Sequence, residues 1–191
     1  MKILKGVLSW LGTVLVSVVV ALFIIIFLFQ PTSVSGSSME NTLHDRNKII
    51  INKTQNIFHG TPDYEDIVII DSRVERKRTF WDSVVEPLKY NVFVTKVTGN
   101  IDEIFWVKRV IGKEGDVLEF KEGKVIRNGI ELEESYIKEP MLYESDEKVI
   151  VPQKSVFVMG DNRNHSSDSR VIGCIPIDHV IGKYLFKMGF K

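Results

Sequence analysis

The chain has 191 residues, 44% of them hydrophobic, with 25 basic and 25 acidic side chains. That length and apolar content exclude a disordered chain and allow one globular domain with an appendage, and the balanced charge gives no case for nucleic acid as a partner. A single cysteine, Cys174, excludes an intramolecular disulfide and a cysteine-based metal cluster.

Gly6–Phe29 holds no charged residue and is dominated by Leu, Val, Ile and Phe. As a helix it would span about 36 Å, enough to cross a hydrocarbon core of about 30 Å with some tilt. A cleavable signal peptide is the rival reading, but its apolar region is shorter and ends in a small-x-small site, whereas here Gln30-Pro31 follows. The segment therefore reads as a retained signal anchor. Lys2 and Lys5 precede it and the next basic residue is Arg46, so the positive-inside rule puts the N-terminus in the cytoplasm and the rest outside. Residues 1–30 are thus a cytoplasmic tip and single-pass anchor in the cell membrane, and residues 31–191 an extracytoplasmic domain with net charge −2.

Pro31–Ser38 reads as a short turn-rich connector. Beyond it come short, β-branched runs: Ile49–Ile51, Ile67–Ile70, Val92–Val97, Ile104–Ile111, Val117–Phe120, Val149–Val151, Val156–Met159 and Val180–Phe186. Gly, Asn, Asp and Pro clusters separate them, and Asn128-Gly129 predicts a hairpin between Lys124–Arg127 and Ile130–Leu132. The expected fold is mainly β, a folded sheet or partly closed barrel. Ser72–Asn91 departs from this pattern and reads as an insertion or excursion that could include a short helical turn. It is either a solvated loop or a lipid contact, with its basic cluster on anionic headgroups and Phe80 and Trp81 at the interface.

Gly160–Arg170, GDNRNHSSDSR, is a polar run set between two apolar stretches. Five consecutive residues, Asp161–His165, lack an apolar side chain, which suits neither a buried strand nor an amphipathic helix. Asp161, Arg163, Asp168 and Arg170 could pair with one another. A buried polar network is costly unless satisfied, so this one, if folded against the core, marks a site; a solvated loop with balanced charges is the alternative.

Two further segments join it: Ser35–Leu43, SGSSMENTL, and Trp106–Asp116, WVKRVIGKEGD, where Lys108 and Arg109 interrupt an apolar strand. Together the three resemble the boxes of the type I signal peptidases, membrane-anchored serine proteases that remove signal peptides from exported preproteins. The resemblance covers essentially the whole chain and is nearest to the single-span Gram-positive branch. It implies Ser38 as nucleophile with Met39 beside it, Lys108 as general base, and Ser166 as the hydroxyl that holds the lysine amine. Arg109, Asp161, Asn162, Arg163, Asp168 and Arg170 would build the platform under the site. It also implies secreted preproteins and the lipid bilayer as partners, and a reaction needing no metal and no organic cofactor. Two positions depart from the pattern. Asn41 stands where the family commonly has proline, and Gly36 where some relatives carry a serine that helps bind the oxyanion.

Serine chemistry supports the assignment apart from the resemblance. A serine hydroxyl needs a nearby base. None of His44, His59, His165 and His179 has a recognisable Ser-His-Asp context, although His165 within the polar run keeps a Ser-His reading open. A lysine serves only when neutral, which near pH 8 needs a depression of about 2 units, or about 3 kcal/mol. Burial in the apolar strand around Lys108 would supply it. Lys108 and Arg109 leave a strand on opposite sides, so Arg109 is free to pair elsewhere, with Asp161 the expected partner. Substrate peptide would add as a strand, its small side chains entering shallow apolar pockets. Val34, Met39, Leu43 and Val107 are the candidates for lining them, with ordinary core packing the alternative. Two other readings remain: a self-cleaving Ser-Lys protease, and an inactive membrane-anchored binding protein of the same fold.

Overall fold

A computed structural model describes residues 2–54, 60–89 and 104–189. The strand expected at Val92–Val97, the turn at Thr98–Asn100, His59, and the last two residues of the 72–91 excursion lie outside them. The first element is helix α1 (Lys2–Phe23), which runs on through a wider π-helical turn, Ile24–Leu28. The apolar stretch Lys5–Leu28, of mean hydropathy 3.1, is long and apolar enough to cross a membrane.

The chain enters β structure at once. Strand β1 (Phe29–Ser33) follows the π turn directly and includes Pro31, so the first three residues of the expected connector are strand. The proline is tolerated because β1 is an edge strand. Then come β2 (Lys48–Asn52), β3 (Ile67–Asp71), helix α2 (Phe80–Lys89), β4 (Phe105–Lys113), β5 (Val117–Lys121), β6 (Lys124–Arg127) and β7 (Ile130–Glu131). The chain ends with β8 (Ser145–Ile150), β9 (Ser155–Met159), a short helix α3 (Ser169–Ile172), β10 (Ile175–Pro176) and β11 (Val180–Lys187). Seven strands form one antiparallel sheet in the order β1-β2-β11-β3-β4-β9-β10, and four form a second, β7-β6-β5-β8. The protein is mainly β, as expected. The 72–91 excursion carries a ten-residue helix, longer than the short helical turn expected there.

Period-2 alternation sorts the core. On β9, Val156 and Val158 face a cluster with Val68, Ile70, Val110, Ile175 and Val180, while Phe157 and Met159 face the space between the two sheets. There they meet Ile111, Leu118, Phe120 and Val125. The predicted hairpin is present, with Asn128 and Gly129 at φ 54° and 81°, the left-handed pair a tight turn between twisted strands requires.

The corner between the sheets is fixed by a carboxylate. Buried Asp116 accepts the Lys113 backbone N–H and the Asn128 amide, each at 2.7 Å, and the Tyr64 hydroxyl at 2.9 Å. Burial pushes its pKa up, but these donors outweigh it and hold the carboxyl below the usual range. Asp116→Ala should cost about 2–3 kcal/mol, read as a lower urea midpoint with an unchanged slope. Because the folded carboxyl is the stronger acid, its contribution is complete at neutral pH and fades on acidification through the folded pKa. The stability gap between wild type and variant should close in that range.

Candidate active site

Strand pairing assembles the site. Strand β4 lies between β3 and β9, with Val68 opposite Lys108 on one side and Met159 opposite Arg109 on the other. The end of β9 therefore delivers Gly160 and Asp161 beside the two basic residues. The third component arrives on the loop 34–47 between β1 and β2, closed at its neck by Val34 N–H to Asn47 O (2.8 Å) and Arg46 N–H to Val34 O (2.9 Å).

Ser38 rides on this loop, and its Oγ lies 2.7 Å from Lys108 Nζ. Lys108 is 3% exposed, with its amine 5.6 Å from the centre of the Trp106 ring. Burial lowers its pKa from 10.5 to about 8; Asp168 and Asp161 pull it upward and Arg170 downward, each with less effect than burial. Lys53 is also buried and also lowered to about 8, again mainly by burial. Its amine meets the Gln30 side-chain oxygen at 3.2 Å, and among the described residues it makes no hydrogen bond to a serine hydroxyl. Dryness is common to both lysines, and contact with a serine hydroxyl distinguishes Lys108.

The polar run is folded against the core: Asp161, Asn162, Arg163 and Asp168 are all buried. Its pairings extend beyond the run. Asp161 takes both arms of Arg109, at 2.8 and 2.6 Å, and the Thr42 hydroxyl, so Arg109 has its expected partner. Arg109 also donates to Glu65 O (2.9 Å), and its guanidinium lies 3.9 Å from the centre of the Tyr136 ring. Arg163 pairs bidentately with Glu134 at 2.8 and 2.6 Å, and Asp168 with Arg170 at 2.8 Å through both oxygens. Sequence reasoning missed Glu134, Thr42, Glu65 and Tyr136. Glu134 sits in an acidic loop with no pattern, and the Glu65 contribution is a backbone carbonyl.

Ser166 is placed next to Ser38 but faces differently from the expectation. Its hydroxyl donates to Asp168 Oδ2 at 2.8 Å and makes no hydrogen bond to Lys108 among the described residues. Gly160 keeps the two serines together: a Cβ there would stand 2.3 Å from Ser166 Oγ and 2.5 Å from the Ser38 carbonyl oxygen. Asn162 completes the clamp, its backbone N–H donating to Ser38 O (3.0 Å) and its side chain to Ser37 O (3.1 Å). The Ser38 backbone N–H has no partner among the described residues. Gly36 lies at φ 86°, a left-handed conformation that a serine there would adopt only under strain. His165 is exposed and makes no contact with Ser38 among the described residues, so the Ser-His reading has no geometric support.

Val34, Met39, Leu43 and Val107 do come together, in one cluster with Ile49, Ile67 and Tyr184. The first three are fully packed, so they form a floor and not open walls, with Val107 only half-buried. Cys174 packs against the inter-sheet core, its thiol pushed up to about 11 by burial.

The chain has relatives among known proteins. The family described as signal peptidase, peptidase S26, matches residues 7–188. Signal peptidase I T of Bacillus subtilis is 34% identical over 193 residues, covering 94% of this chain and 84% of that protein. Thylakoidal processing peptidase 1 of Arabidopsis thaliana is 33% identical over 84% of this chain, which spans 42% of the plant protein's length. A crystal structure of a signal peptidase I from Enterococcus faecalis is also similar, at 23% identity and a TM-score of 0.43, over 64% of this chain and 96% of that one. The chain belongs to the signal peptidase family, peptidase S26, and is a serine endopeptidase of that family.

Proposed function

We propose that this protein removes signal peptides from exported preproteins, with Ser38 as nucleophile and Lys108 as general base. Residues 6–29 hold it in the membrane, and the domain from residue 31 onward lies on the outer side. The observation that carries the reading is the 2.7 Å contact between Ser38 Oγ and the desolvated Lys108 amine. In the neutral state the serine O–H donates to the amine, and Oγ attacks the carbonyl carbon of the residue before the cut. The charge that develops on that carbonyl oxygen meets the free Ser38 N–H. The new ammonium passes its proton to the leaving amine, and water, deprotonated by the same lysine, then cleaves the acyl-serine ester. Ser166 has committed its proton to Asp168, so its lone pairs remain to accept from the ammonium while Lys108 is charged.

Substrate lies extended over the floor formed by Val34, Met39 and Leu43, with Val107 at its edge. A shallow floor suits the small residues of an Ala-x-Ala site. Anchoring confines enzyme and preprotein to one bilayer. Ser38 follows Phe29 by nine residues, so it stands within about 30 Å of the point where the chain leaves the anchor.

Four outcomes test this, using the full chain in detergent and a preprotein with an Ala-x-Ala site. Ser38→Ala should lower kcat by about 10⁴-fold or more. Wild-type kcat/KM should rise from pH 6 to a plateau near pH 9, with a midpoint near 8, because only the neutral amine accepts the proton. Lys108→Met should be inactive at every pH and yet more stable. The folded amine has the lower pKa, so burying it costs about 3 kcal/mol below pH 8, a cost that fades as pH rises toward 10.5. After the lost hydrogen bond is allowed for, a gain of about 2 kcal/mol at pH 7 remains, visible as a raised Tm. A Lys108→Met protein that still cleaved would sink the dyad. Finally, Gly160→Ala forces Ser38 and Ser166 apart, and displacement on the scale of 1 Å should reduce kcat about 100-fold.

A further inference from the structure

Helix α2 is amphipathic in the reverse sense to a helix of a water-soluble domain. At 100° per residue, Phe80, Trp81, Val84 and Val85 share one face, while Asp82 and Glu86 lie on the opposite one. In the structure the acidic side is turned inward. Glu86 is 8% exposed and pairs with Arg73 and Arg78, and Asp82 pairs with Arg76. The apolar side is turned outward: Phe80 is 66% exposed, Trp81 70% and Val85 52%. The arginines expected to meet lipid headgroups are thus occupied beneath the helix, with Arg73 and Arg78 also bound to fully buried Asp71.

A helix that hides its carboxylates and shows its aromatics is not arranged for water, and its position says what covers it. It packs against the π turn at the end of the apolar helix, where Phe80 stacks on Phe27 with ring centres 6.5 Å apart, and Phe27 in turn meets Phe23 at 5.1 Å. The exposed face of α2 is therefore continuous with the lipid-facing surface of the anchor. We infer that α2 is a second membrane contact, lying in the headgroup–acyl boundary with Phe80, Trp81 and Val85 inserted beside the anchor. The inference rests on the anchor reading above. It assigns the ion network of Asp71, Arg73, Arg76, Arg78, Asp82 and Glu86 the task of holding the helix in this inverted sense. With one helix alone the domain could rotate about its tether. A second contact fixes the face it turns to the membrane, and with it the height and approach of Ser38.

The test uses the full chain with Cys174→Ser, reconstituted in phosphatidylcholine–phosphatidylglycerol vesicles. Nitroxide labels are placed on single cysteines at Val14 in the anchor, at Trp81 and Val85 on α2, and at exposed Ile130 on the β6–β7 hairpin. Collision rates with oxygen and with a water-soluble nickel chelate report depth. The expected pattern is oxygen-rich at 14, 81 and 85 and nickel-rich at 130. If 14 reads as lipid while 81 and 85 match 130, α2 faces water and the inference fails with the anchor intact. If 14 itself reads as water, the anchor reading fails and takes the inference with it. A functional readout accompanies this. Trp81→Ser/Val85→Ser should cleave a membrane-embedded preprotein at least 5-fold more slowly, while cleavage of a short soluble peptide in detergent stays unchanged. Equal slowing of both substrates would mark a structural defect and overturn the inference.

Discussion

Everything at the site depends on keeping one amine dry among aspartates without letting them charge it. Burial depresses Lys108 by about 3 kcal/mol. A single unpaired carboxylate about 6 Å away, at an effective dielectric of about 20, would offset nearly all of that. Asp161 and Asp168 are both close enough to pull the amine upward. Each is held by an arginine in two-pronged geometry, Asp161 by Arg109 and Asp168 by Arg170, and Arg170 also pulls the amine downward, so burial wins. Lysine could not replace either arginine, since a point charge does not fill both carboxylate oxygens.

The same pairs give the site its shape. The 34–47 loop is long enough to wander, yet it is pinned on two sides. Met39 and Leu43 plug into the core with Ile49 and Ile67, while Thr42 joins the Asp161–Arg109 pair and Asn162 holds the Ser37 and Ser38 carbonyls. Lys108, by contrast, comes from the middle of a strand buried between neighbours. Ser38, though borne on a loop, is thereby given the positional precision of the sheet, which apolar packing of the loop alone would not supply.

What could be read from the sequence follows from which forces leave a linear trace. β-branched runs marked β2, β3, β4, β5, β9 and β11 because each strand's burial is written in its own residues. Strand β1 was illegible: Phe29–Ser33 is polar and contains proline, and its pairing with β2 is decided by where the anchor ends. The approach of Ser38 to Lys108 was anticipated by their boxes, and alternation along β4 anticipated that Arg109 would turn away from Lys108, where it meets Asp161. The Arg163–Glu134 pair was not, because nothing local distinguishes Glu134 from the acids around it. The Ser166 hydroxyl faces Asp168, not Lys108, since the turn into α3 puts the carboxylate two residues away at hydrogen-bond distance. Helix α2 was legible only as a departure from the β pattern with outward Phe80 and Trp81, because the ion pairs that seat it join residues of several separate positions and leave no periodic trace.

One device thus appears twice in this chain. Under Ser38 and under α2, arginine–carboxylate networks hold an element whose other face must stay available, to the proposed substrate in one place and to the proposed membrane contact in the other. Apolar packing cannot do this at α2, because its apolar face is the one turned away. Such networks add little net stability, since desolvating the charges consumes most of the attraction, but removing one partner strands a buried charge at about 3–5 kcal/mol. That asymmetry makes them poor glue and good registers. They penalise every arrangement but one, which is what the proposed Ser38–Lys108 dyad needs, since its two members come from separate parts of the chain.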